Sequence, residues 1–137
     1  MTDTSPTPQA SLFDRMGGAP GVARLIDTFY DRMESLEQAR AIRAMHPADL
    51  GPTREVFKRY LGEWLGGPAL YSAEKGHPRL RMRHMHVAIT SADRDAWLAC
   101  MAEAMVACIQ DIELRAAIWD PIARLADWMR NAPDPAG

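Results

Sequence analysis

The chain has 137 residues, enough for one domain with a full hydrophobic core and too few for a second of ordinary size. With 47% apolar and 25% charged residues and a formal net charge of -2, it has the mix of a soluble globular protein and no global attraction for nucleic acid or anionic lipid, so any basic site must be local. No run approaches the roughly 18 apolar residues of a spanning helix, and MTDTSPTPQA lacks the charged-then-apolar order of a secretory signal, so no membrane partner and a cytoplasmic location are expected.

Residues 1–10, rich in Thr, Pro and Ser, are expected to be a disordered extension; residues 11–131 form the folded domain, and 132–137, with two prolines, a flexible tail. Ser11 can cap a short turn ending at Gly17-Gly18, and Pro20 then sits in the first turn of the next helix. There Val22, Leu25, Ile26, Phe29, Tyr30 and Met33 recur at three- and four-residue spacing, which puts them on one buried face. A short helical piece from Glu37 to Met45 is closed by His46-Pro47, because the residue before proline avoids the helical region.

Thr53 to Leu65 predicts an amphipathic helix with Phe57, Tyr60, Leu61 and Trp64 on its apolar side, stopped by Gly66-Gly67-Pro68. Ala69 to Gly76 has no clear periodicity and reads as irregular, after which Pro78 opens a short helix through His84. Ser91 is the expected cap of a long helix whose stripe is Trp97, Cys100, Met101, Ala104, Met105 and Cys108. The two cysteines, roughly 12 Å apart along such a helix axis, are too far apart to bridge and read as reduced core residues. The last segment carries Leu114, Ala117, Ile118, Ile122, Leu125 and Trp128, with a kink or break expected near Pro121. The fold class is therefore all-α.

The chemistry concentrates in GHPRLRMRHMHVAI, residues 76–89, which holds three of the four histidines and three arginines without an acid. His84 has neither His nor Cys three or four positions away, so the converging ligands of a structural zinc site are missing. One histidine among apolar and aromatic residues suits a haem iron, because the macrocycle supplies the other four nitrogens. Arg79 and Arg83, four apart and on one helix face, could then meet the two haem carboxylates. Alternatively the run is a basic docking face of a haem-free interaction module; the absence of interleaved aromatics speaks against nucleic acid.

WLGGPALYSAEKGHPRLRMRHMHVAI followed by DRDAWLACM resembles the group II, or O-type, truncated haemoglobins, and the likeness extends from LFDRMGG at Leu12 to about Met129. The resemblance implies a two-over-two helical sandwich around haem b, with His84 as the proximal iron ligand. It implies a distal Tyr30, His46 at the corner after the short third helix, and Trp97 with its indole N–H toward the iron's ligand. Thr53 and Phe57 match the distal-helix positions facing the iron. Leu61, Tyr71, Met82, Ile89 and Met101 complete the expected cofactor wall with Arg79 and Arg83. The implied ligands are dioxygen, carbon monoxide, nitric oxide, cyanide or peroxide, held on a five-coordinate iron. Hydrogen bonds from Tyr30, His46 and Trp97 would slow oxygen release. Peroxidase-like or nitric oxide dioxygenase turnover stays open, as does a monomer or a homodimer, and turnover would need a reductase to recycle ferric iron.

Overall fold

A computed structural model describes residues 11–76, 84–85 and 87–133. Helix α1 (Leu12–Arg15) begins where expected, with the Ser11 hydroxyl accepting from the Asp14 amide at 3.1 Å. Gly17 (φ +98°) turns the chain into α2 (Gly18–Ser35), whose six expected core residues are all buried. A 3-10 turn (Glu37–Ala39) and α3 (Arg40–Ala44) follow, ending just before His46-Pro47. Helix α4 (Gly51–Trp64) starts two residues earlier than the sequence suggests, because Pro52 is accommodated in its first turn.

Three expectations need correction. Residues Leu70–Lys75, read as irregular, form helix α5, with Tyr71 as its buried residue. The helix expected to be capped by Ser91 is α6 (Ser91–Cys108), capped by Thr90; the Thr90 side chain and Asp93 complete a reciprocal capping box. No break occurs at Pro121: α7 runs unbroken over Ile112–Trp128 from an Asp111 cap. The helix expected from Pro78 onward lies outside the described residues except for His84, which is helical.

Helix α2 is central. It packs against α6 on one side and α4 on the other, and α6 packs against α7. Leu25, Ile26 and Phe29 of α2 interleave with Cys100, Met101, Ala104 and Met105 of α6 and Ile118 of α7 in one continuous core. Each such large side chain contributes about 1.5–3 kcal/mol through burial. Helices α2 and α4 are also clamped by charge: Arg54 reaches Asp27 at 3.1 Å and Asp31 at 3.0 Å, and Lys58 reaches Asp27 at 3.1 Å. Among the described residues no helix is long and apolar enough to cross a membrane.

Close backbone approach is built into the start of α2. A Cβ at Gly21 would stand 1.9 Å from the Met16 carbonyl oxygen, a rigid obstacle. Gly21→Ala is therefore expected to cost about 2 kcal/mol or more in a urea unfolding series, and a loss below about 0.5 kcal/mol would show that α1 can move aside.

Candidate functional site

Four elements bring aromatic side chains to one place. Helix α2 supplies Phe29 and Tyr30 from adjacent positions, with ring centroids 4.9 Å apart in an edge-to-face contact. Phe57 of α4 meets Phe29 at 5.8 Å and Tyr30 at 6.2 Å. Trp97 of α6 meets Phe29 at 5.0 Å and Phe57 at 6.3 Å. His46, from the corner after α3, faces Tyr30 edge-on at 6.0 Å. Tyr30, His46, Phe57 and Trp97, singled out separately in the sequence, thus form one contiguous cluster.

The polar atoms of this cluster differ in kind. Among the described residues, neither the Tyr30 hydroxyl nor the Trp97 indole N–H has a hydrogen-bond acceptor. Burial pushes the Tyr30 phenol far above its ordinary range, only partly opposed by the Arg54 guanidinium 5.6 Å from its ring, so Tyr30 keeps its proton as a donor. His46 is otherwise engaged: its Nδ1 lies 2.7 Å from the Ile42 carbonyl oxygen. A carbonyl can only accept, so Nδ1 carries the proton and, in the neutral ring, Nε2 is left as an acceptor. Burial lowers the His46 pKa below the ordinary imidazole value, against the bond to Ile42 and with help from Arg43 and His84.

His84 itself is exposed, and its carbonyl accepts from the Val87 amide at 3.2 Å and from the Asn131 side chain at 3.1 Å. Of the remaining expected wall residues, Thr53 is half-buried one turn before Phe57, and Leu61, one turn after it, is buried. Met101 is fully buried one turn beyond Trp97. Tyr71 belongs to a second ring contact, 5.3 Å edge-on from Tyr60, whose phenol burial pushes up to about 12. Ile89 is half-buried and bonded to Asn131. Arg79, Met82 and Arg83 lie outside the described residues.

Three participants escape a reading of the sequence. Phe29 sits at the centre of the ring cluster, yet on its stripe it is indistinguishable from plain core. Arg54 lies against the Tyr30 ring; its only sequence signal is the four-residue spacing of Asp27 and Asp31, which it bridges. Asn131 has no local signal, since its partners lie 42 to 47 residues away.

Residues 11–131 match the family model described as bacterial-like globin. The chain is 44% identical over 84 residues to the group 2 truncated haemoglobin YjbI of Bacillus subtilis, a stretch that is 61% of this chain and 61% of that relative. It thus spans about three fifths of that curated relative. Among solved structures it is similar to the group II 2-on-2 haemoglobin of Agrobacterium tumefaciens, at 40% identity and a TM-score of 0.89 over 95% of this chain and 100% of that one. It is also similar to the truncated oxygen-avid haemoglobin of Bacillus subtilis, at 35% identity and a TM-score of 0.82 over 89% of this chain and 100% of that one.

Proposed function

The chain belongs to the bacterial-like globins, within the group II truncated haemoglobins, and from that premise we propose that it holds dioxygen tightly on haem, releases it slowly and serves redox chemistry rather than transport. Its fold is the two-over-two helical sandwich of that family. Its cofactor is haem b, whose iron when bound offers a coordination position to dioxygen and other small diatomic ligands.

The residues present fit such a group. Met45 and Met85, the sequence neighbours of His46 and His84, are 39% and 53% exposed, apolar surface that a flat apolar ring would cover. The proposed assignment makes His84 the proximal ligand and the cluster around Tyr30 the distal wall. The observation that carries it is the pair of donors, the Tyr30 hydroxyl and the Trp97 indole N–H, gathered in an aromatic cluster with no protein acceptor among the described residues. Neither donor atom is among the buried unpartnered polar atoms of the described residues, so both open toward accessible space where an acceptor can meet them, and a polar diatomic ligand is one. The role proposed for His46 differs from that of a third donor: at neutral pH its Nε2 accepts, and it can orient the Tyr30 hydroxyl or a water.

That same acceptor favours a second reading, turnover of peroxide. A neutral imidazole whose Nδ1–H is fixed on a carbonyl is a competent base, able to take the proton of a peroxide at Nε2. Nitric oxide oxidation draws on the same donors and would require an electron donor to restore ferrous iron, whereas peroxide turnover would require a reducing substrate to return the oxidised haem to its ferric state.

The visible spectrum of the purified chain with added haemin tests the proposal. A strong Soret band that moves with carbon monoxide after reduction is the expected result; a spectrum that stays that of free haemin would leave a haem-free helical interaction module as the reading. Peroxide then separates the two haem readings, since rapid oxidation of a reducing dye favours turnover.

A further inference from the structure

We propose that Asn131 is a positioning residue for the proximal side, through which the end of α7 fixes the backbone that carries His84. The inference rests on the assignment of His84 as iron ligand made above. Its basis is a set of five hydrogen bonds between two short stretches of chain. The Asn131 side-chain Nδ2 donates to the His84 carbonyl at 3.1 Å and to the Val87 carbonyl at 2.9 Å. The side-chain Oδ1 accepts from the Ile89 amide at 2.8 Å. The Asn131 and Ala132 backbone amides both donate to the Ile89 carbonyl, at 3.0 and 3.1 Å.

Both hydrogens and the oxygen of this carboxamide are therefore used, and all of its partners are backbone atoms. The His84 carbonyl, which already accepts from the Val87 amide at 3.2 Å, gains a second donor in this way, and the Val87 carbonyl gains one from the same head group. Carboxamide is the group that can donate twice and accept once from a single planar head; a carboxylate has no hydrogen to give, and an aliphatic side chain offers neither.

The anchor is itself held firmly. Arg130, the preceding residue, bonds to Asp127 at 2.8 Å and to the Ser91 hydroxyl at 3.1 Å, and Arg94 of α6 pairs with the same Asp127. The end of α7 is thus tied to the first turn of α6, and α6 carries Trp97 six residues beyond Ser91. Asn131 thus connects the His84 backbone to the first turn of the helix that carries Trp97.

Asn131→Asp and Asn131→Leu in the full chain, loaded with haemin, test the proposal. The expected results are a shifted and broadened iron–histidine stretching band in the ferrous protein, and loss of haem to an apoglobin acceptor faster by about tenfold. The carbon–oxygen stretch of the carbon monoxide complex, which reports the distal wall, should stay where it is. An unchanged iron–histidine band with an unchanged rate of haem loss would overturn the proposal. A wild-type protein without any iron–histidine band would instead overturn the assignment of His84, and the proposal with it. Should neither variant fold, hydrogen exchange of the wild type decides: the Ile89 amide should be as slow as those of α6, and exchange at the rate of an open loop would refute the anchor.

Discussion

His84→Gly should leave a folded chain that no longer retains haem, and imidazole added to the buffer should restore a Soret band. The expectation follows from the proposed division of labour. The surroundings of His84 and His46 offer apolar surface but, among the described residues, no group of three or more His, Cys, Asp or Glu that could hold a metal. The proposed assignment gives the iron bond to one imidazole. Loss of a group that merely orients a metal ligand typically costs ten- to hundredfold in affinity, so loss of the ligand itself should exceed about hundredfold in the rate of haem release. His84 is exposed and lies outside the hydrophobic core, so the haem-free glycine variant should stay folded, with a loss of about 1 kcal/mol from glycine at a helical position in a urea unfolding series. Retention of haem at the wild-type rate would remove His84 from the site and move attention to the other histidines of the 76–89 segment.

The helices that carry the site are legible in the sequence where they are long. On α2 the three- and four-residue spacing of apolar residues marks the buried face, and Tyr30 lies on it; on α6 Cys100, Met101, Ala104 and Met105 of the expected stripe are buried while Trp97 and Cys108 are half-buried at its margin. What that spacing cannot distinguish is a core aromatic from a functional one, which is why Phe29 and Trp97 look alike until the ring contacts are known. Helix α5 is hidden for a different reason. Six residues give less than two turns, and its support comes from α4: the Glu63 carboxylate accepts from Ser72, Arg59 pairs with Glu74, and Tyr60 packs on Tyr71. Such tertiary bonds leave no local period.

Pro121 shows the opposite case, a strong local signal overridden. A proline inside a helix costs about 3 kcal/mol. Against it stand Leu114, Ile118 and Ile122, spaced four apart across the proline and buried to 4%, 0% and 2% exposure, a stripe that a break would misalign. Burial of three such side chains outweighs one proline. Asn131 marks the limit of local reading, because a residue whose partners lie 42 to 47 positions away is ordinary until the chain is folded.

Dioxygen dissociation is the measurement on which the distal wall stands. Tyr30→Phe and Trp97→Phe should each accelerate it about ten- to hundredfold, since each removes a donor to a ligand oxygen of partial negative charge, worth roughly 1.5–3 kcal/mol. Phenylalanine preserves the ring packing of Tyr30 against Phe29 and Phe57, so steric change is small at that position. Carbon monoxide provides the control: it is far less polar, so its dissociation should change much less, and an equal change for both gases would point to altered packing instead of lost hydrogen bonds. His46→Leu sets a contrast by pH. Above the ordinary imidazole value near 6.5, the folded and unfolded rings are both neutral and Nδ1–H is committed to Ile42, so the ring has no hydrogen to donate and the substitution should alter the rate less than the other two. Because burial holds the folded pKa lower still, the ring gains its second N–H only as pH falls through that lowered value. There the wild type should release dioxygen more slowly while His46→Leu does not follow. The same lowered pKa means that stability contributed by keeping this ring neutral is complete above pH 6.5 and is lost as pH falls from there to the folded value, where the unfolded chain binds the proton first. A distal wall whose oxygen release ignores all three substitutions would be a core and nothing more.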